Sequence, residues 1–68
     1  MSKGSTHLLA VDTRTAAEML GLSASHLEKL RLYDPENSPP VMRIGRAVRY
    51  PIEGLRAWAD ARTTGEQK

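Results

Sequence analysis

No cysteine occurs in this chain, which excludes disulfides and thiolate metal sites as braces for the fold. Its two histidines, His7 and His26, stand far apart and lack the spaced partners of a structural zinc site. No apolar run approaches the roughly 20 residues of a membrane span. The opening MSKGSTHLLAV offers one early lysine and a Leu-Leu-Ala-Val patch, well short of the apolar stretch of a signal peptide. Together these features favour a cytoplasmic protein. The apparatus of catalysis is missing as well. There is no cysteine nucleophile, no glycine-rich phosphate loop and no histidine with an orienting acid at a suggestive spacing. Neither an enzyme nor a cofactor is expected, and so small a chain has little room for a water-excluding substrate pocket.

What is present must fold by apolar packing alone. At 68 residues the chain is one domain at most, and it buries only roughly 60% of the surface its unfolded form exposes. The net charge of +2 would not by itself mark a nucleic-acid binder, but its placement is uneven. Residues 1–22 balance, residues 23–40 sum to −1, and residues 52–68 balance again. Residues 41–51 hold Arg43, Arg46 and Arg49 and no acid, so +3 is concentrated there. Such local density marks a possible anion contact.

Read in order, residues 1–7 are polar and expected to be flexible, with residues 8–62 as the folded domain and residues 63–68 as a second flexible tail. The apolar stretch 7–11 is expected to pad the core without forming a strand of its own. Thr13 is an N-cap candidate for a first helix over residues 14–20, which places Ala16, Ala17 and Leu20 on one face, and Gly21 suits its C-terminal end. Ser23 can cap a second helix over residues 24–33. Leu27, Leu30 and Tyr33 share its inner arc, while Ser25, Glu28, Lys29 and Leu32 share the opposite one. Only Gly21-Leu22-Ser23 separates the two helices, the sequence form of a helix-turn-helix. The run DPENSPP then rules out further helix and favours an extended exit.

Residues 41–51 read as a basic β-hairpin. A three-residue Gly45-Arg46-Ala47 loop would pair Ile44 with Val48, send Met42, Ile44, Val48 and Tyr50 inward and present Arg43 and Arg49 outward, with Arg46 at the tip. A two-residue Gly45-Arg46 turn would pair Ile44 with Ala47 and mix the faces. The first register gathers four apolar residues and is the one expected. Pro51 can then open a third helix, along which Leu55, Trp58, Ala59 and Arg62 recur at helical spacing. Leu55, Trp58 and Tyr50 are assigned to the core, with Trp58 under the hairpin or between helices.

The predicted fold class is mainly α with a small β-hairpin. The order of helix, tight turn, helix, proline-rich loop, basic hairpin and helix is that of a winged helix-turn-helix, three helices plus a two-stranded wing. Two runs sharpen this: TRTAAEMLGLSASHLEKLRLYD and VMRIGRAVRYPIEGLRAW. In order and spacing they resemble the small excisionase/AlpA-like proteins with a MerR-type winged helix-turn-helix, over roughly residues 8–62. Thr15 stands where that pattern often has Glu, and residues 51–54 lack its usual polar cap followed by an acid. The resemblance implies a double-stranded DNA-binding protein, with the second helix in the major groove and the wing in a minor groove or on phosphate. It also implies a recombination directionality factor that bends attachment-site DNA for a tyrosine recombinase (an integrase), or else a transcriptional regulator. So small a reader spans few base pairs, so several copies are expected side by side on DNA.

The candidate DNA-binding residues are Ser23, Ser25, His26 and Lys29 on the second helix, and Arg43, Arg46 and Arg49 in the hairpin. Ser23 can cap while its neighbours approach a phosphate, Ser25, His26 and Lys29 suit base edges or phosphates, and Arg46 suits insertion into a narrow minor groove. Glu28 can accept from a cytosine amine or simply be solvated. Out of context, the arginines equally suit a hairpin edge guarded against aggregation, and the hairpin equally suits an adaptor that meets an acidic protein.

Overall fold

The computed structural model describes residues 8–63. Along the chain run β1 (Ala10–Val11), α1 (Thr13–Leu20), α2 (Ala24–Tyr33), a 3-10 turn (Pro35–Asn37), β2 (Met42–Ile44), β3 (Ala47–Pro51) and α3 (Ile52–Ala61). Three helices thus accompany a three-stranded antiparallel sheet of order β1-β3-β2. No described helix is long and apolar enough to cross a membrane. The segments 1–7 and 64–68, expected to be flexible, lie outside the described residues, and so does His7.

Local chemistry accounts for the helix ends. The cap of α1 is Asp12, one residue before the expected Thr13: its carboxylate accepts the Thr15 N–H at 2.9 Å, satisfying one of the orphan donors of the first turn. At the other end Gly21 takes the left-handed conformation, φ 74°. Its N–H bonds to the Glu18 carbonyl at 3.1 Å, and the Leu22 N–H to that of Ala17 at 2.8 Å, the paired closure of a Schellman motif. Ser23 then caps α2, its Oγ accepting the His26 N–H at 3.0 Å. Both peptide ends of the Gly21-Leu22-Ser23 corner are therefore tied. Ala16 and Ala17 are fully buried, and their small side chains let α2 pack closely on α1.

The sheet departs from expectation in two places. Residues 10–11 form a true strand, pairing Ala10 with Pro51 and Val11 with Tyr50. Of the expected core-padding stretch only Val11 is buried, whereas Leu8 and Leu9 are exposed. The hairpin uses the two-residue Gly45-Arg46 turn, pairing Ile44 with Ala47, Arg43 with Val48 and Met42 with Arg49. Gly45 has φ 61° and no other described residue but Gly21 has positive φ, the pattern of a type II′ turn with glycine first. That turn twists with the strands, whereas the apolar count favoured the longer loop. Because side chains alternate across a strand, the one-residue shift moves Met42 and Ile44 to the opposite face from Val48 and Tyr50. Both lie exposed, at 38% and 59%.

The core comprises Val11, Ala16, Ala17, Leu27, Tyr50 and Leu55, with Leu20, Leu22, Leu30, Val41, Val48 and Ile52 packed against it. Tyr33, expected on the inner arc of α2, is 79% exposed. It falls in the last helical turn, where Asp34 and Pro35 turn the chain away and leave nothing to cover the ring. Trp58 is half-buried and lies outside the core cluster. Its Nε1 donates to the Asn37 carbonyl at 3.1 Å, Arg62 Nη2 donates to the same oxygen at 3.1 Å, and the Arg62 guanidinium lies 4.2 Å from the indole centroid. The indole thus clamps the 3-10 turn to α3. At the start of α3, Pro51 supplies no side-chain cap, and the Ile52 N–H is instead satisfied by the Leu9 carbonyl at 2.9 Å.

Two stability experiments follow from this packing. The Tyr50 ring is fully buried, yet its hydroxyl has no hydrogen-bond partner among the described residues. An unpaired buried hydroxyl costs about 1–3 kcal/mol. Tyr50→Phe should therefore leave the urea midpoint unchanged or raise it, whereas Tyr50→Ala should remove about 3–5 kcal/mol. A Cβ on Gly54 would stand 2.6 Å from Pro40 Cγ and 3.2 Å from Pro51 Cγ. Overpacking costs about 1–3 kcal/mol, against a helix-propensity gain of at most ~1 kcal/mol. Gly54→Ala should lower stability in the same titration, opposite to the sign that propensity alone gives.

Candidate nucleic-acid interface

The candidate residues fall into two groups on different elements. On α2, Ser23, Ser25, His26 and Lys29 are all exposed. The helix stands on α1 through Leu27, which is fully buried, so its first turn faces outward. Ser23 spends its Oγ on the helix cap, leaving its role there one of shaping the N-terminus. A shallow concavity of about 360 Å³ follows α2, lined by Ser23, His26, Lys29, Leu30, Tyr33 and Asp34. Tyr33 joins this row beside His26 and Lys29. The sequence signal for it was the helix stop at Asp34-Pro35, which ends the helix before a neighbour can cover the ring. Ser25 and Glu28 lie on a different stripe, and Glu28 is held 3.6 Å from Arg31. That pair is the one salt bridge among the described residues.

In the hairpin, Arg43 and Arg46 are exposed. Arg46 occupies the turn and so lies at the tip, as expected. Arg49 does not join them. It is half-buried, and its Nη1 donates to the Val48 carbonyl at 2.9 Å. Continuing the β1–β3 register by one residue sets Asp12 opposite Arg49. Residues 41–51 contain no acid in sequence, but the fold brings one to Arg49 from the strand before α1. The positive charge available at the surface of the hairpin is therefore that of Arg43 and Arg46.

Within the described residues no three His, Asp or Glu side chains converge as a metal site would require. A second, smaller concavity of about 180 Å³ lies between α1 and α3, lined by Met19, Leu20, Ile52, Leu55, Arg56 and Ala59. It is apolar apart from Arg56 and offers no acid–base pair. No protein-family model matches this chain, and no curated protein matches it either.

What the arrangement can do chemically is bind anions and hydrogen-bonding edges at two separate places on a rigid body. The α2 row supplies one cation, an imidazole and a phenol. The hairpin supplies two planar guanidinium groups, suited to bidentate contact with phosphate. Asp12, between β1 and α1, is bonded to Thr15 and feels the hairpin through the charge of Arg49. Hydrogen bonding from Thr15, first through its backbone N–H, holds the Asp12 carboxyl below its ordinary value, and the Arg49 and Arg14 charges act in the same direction. A carboxyl whose pKa is depressed by folding adds stability above its unfolded pKa and loses it as pH falls through the folded one. The urea midpoint should therefore fall as pH drops below the ordinary aspartate range. Asp12→Asn, which keeps a capping oxygen but no titration, should flatten that part of the profile.

Proposed function

We propose that this chain is a double-stranded DNA-binding protein of the winged helix-turn-helix type. In this reading α1 and α2 are the helix pair, α2 enters the major groove, and the hairpin β2–β3 is the wing. The observation that carries it is the uncommitted polar chemistry on both elements. Ser25, His26 and Lys29 face solvent on a helix whose inner side is anchored by Leu27 and whose start is set by a capped three-residue corner. Arg43 and Arg46 extend from a hairpin with no carboxylate bonded to them among the described residues. A helix fits the major groove, where side chains distinguish every base pair, and a narrow minor groove attracts inserted arginine.

The finer role is that of an excisionase, a recombination directionality factor that binds and bends attachment-site DNA for a tyrosine recombinase. It draws on the resemblance of the two sequence runs to that family. The described domain, residues 8–63, is small. One copy therefore covers few base pairs, and a usable site takes several copies side by side.

Lys29, Arg43 and Arg46 are the cations offered to phosphate. Three neutralised phosphates give a slope of about −2.7 in log affinity against log salt, or roughly a 40-fold loss from 50 to 200 mM. A gel-shift salt series on random duplex DNA measures this, and Arg46→Ala should make the slope shallower by about 1. Absence of binding even at ~20 mM salt would sink the reading and favour an adaptor that meets an acidic protein. An excision assay with the integrase, set beside a promoter reporter, separates the directionality factor from a transcriptional regulator.

A further inference from the structure

The outward face of the hairpin carries a pattern that phosphate binding does not use. In the observed register Ile44 and Ala47 face each other immediately before the turn, and Met42 and Arg49 lie one pair further in on the same face. Tyr50 and Val48 occupy the other face, towards the core. Ile44 is 59% exposed and Met42 38%, so two apolar side chains stand in file on a three-residue edge strand. Arg46 occupies the turn beside them. The hairpin is thus apolar on its outer file and cationic at its tip. Arg43, on the opposite face of the same short strand, already guards that edge with charge, so the apolar file stands apart from the guarding residue.

We infer that Ile44, backed by Met42, is an apolar wedge that presses between base steps of a DNA minor groove and bends the duplex. The inference rests on the DNA-binding reading above and assigns to that surface a second, separable task. The minor groove suits this occupant on both counts. Its negative potential draws the Arg46 guanidinium, and its floor of stacked base edges and sugars accepts apolar side chains. Proteins that bend DNA from this side insert Ile, Met, Leu, Phe or Pro between steps and kink the helix by roughly 20–90°. The two-residue turn keeps the hairpin narrow at Ile44, and its pairing with Ala47 leaves no bulky neighbour to hold a groove wall away. Affinity comes from the arginines, and curvature from the isoleucine.

The two tasks can be measured apart. A duplex of about 30 base pairs, dye-labelled at both ends and carrying 2-aminopurine at a central TA step, reports bending by energy transfer and unstacking by fluorescence. The wild-type chain at low salt should shorten the end-to-end distance and brighten the 2-aminopurine. Ile44→Ser should bind within about tenfold of wild type but leave the duplex straight and the fluorophore dim, whereas Ile44→Leu should restore both signals. Arg46→Ala should weaken binding while the residual complex stays bent. Because Ile44 lies outside the core cluster, the serine variant should unfold at the wild-type urea midpoint. Wild-type bending by Ile44→Ser would overturn the wedge, and so would a straight wild-type complex, each leaving DNA binding intact. Failure of the wild type to bind any duplex would instead remove the reading on which the wedge rests. A wild-type dimer in sedimentation that Ile44→Ser converts to monomer would assign the file to contact between copies and also overturn the proposal.

Discussion

The fold depends on one strand being shared. β3 pairs with β1 on one side and β2 on the other, and its Tyr50 is the largest side chain completely removed from solvent. Alanines of α1, Leu27 of α2 and Leu55 of α3 belong to the same buried cluster. A chain without cysteine has no covalent substitute for this arrangement: α1 and α3 pack on the strand that carries this ring, and α2 is placed through α1. The hydroxyl on that ring, unpaired among the described residues, works against stability. Its burial is tolerable because the ring itself removes so much apolar surface from water.

The same strand fixes how the two candidate binding elements relate. A one-residue slip in the hairpin would invert β2 against β3, bringing Met42 and Ile44 to the face of Tyr50, where the core is already filled. The first helix cannot move without disturbing β1, which leads into it through Asp12. α3 is bound to both, because the Ile52 N–H has the Leu9 carbonyl as its partner. Two loops complete the frame. The Schellman closure at Gly21 and the Ser23 cap hold α2 against α1, and Trp58 with Arg62 holds the 3-10 turn after α2 to α3. The exposed row on α2 and the cationic tip of the hairpin are consequently parts of one rigid body, although they sit on different elements.

The helices were legible because their signals are local. Gly21 and Ser23 mark an end and a start through backbone chemistry that no distant contact overrides, and the α2 boundaries follow from them. The Asp12 cap escaped because Thr13 has an equally suitable side chain, and only the strand ending at Val11 decides between them. β1 itself was illegible: two residues carry no periodicity, and their strand character exists only through Tyr50 and Pro51. The hairpin shows a competition between two valid rules. Grouping Met42, Ile44, Val48 and Tyr50 maximised apolar burial, while Gly-X at the turn favoured the two-residue form. Turn geometry prevailed because the core was already filled from the helices, and β2, at the sheet edge, had nothing to be buried against. The same reasoning explains Arg49, whose counter-charge Asp12 lies 37 positions earlier and is brought near only by the β1–β3 pairing.

Misplacing that register by one residue also changes what the hairpin is chemically. With Met42 and Ile44 inward, the outer face would be purely cationic and suited to phosphate alone. With them outward and Arg49 folded back on its own strand, the face is mixed, with charge confined to the tip and one side. Coulombic attraction to a polyanion is long-ranged and tolerant of geometry, so the tip arginine needs little positional precision. Apolar contact acts only at van der Waals distance and has value only where a rigid support sets it. The support is present here: Ile44 sits one residue before a tight turn, on a hairpin whose inner strand carries the buried Tyr50. A side chain that contributes little to the core is thereby set in a fixed place by the backbone pairing of β2 with β3, and this positioning is what a contact-dependent role for the outer face requires.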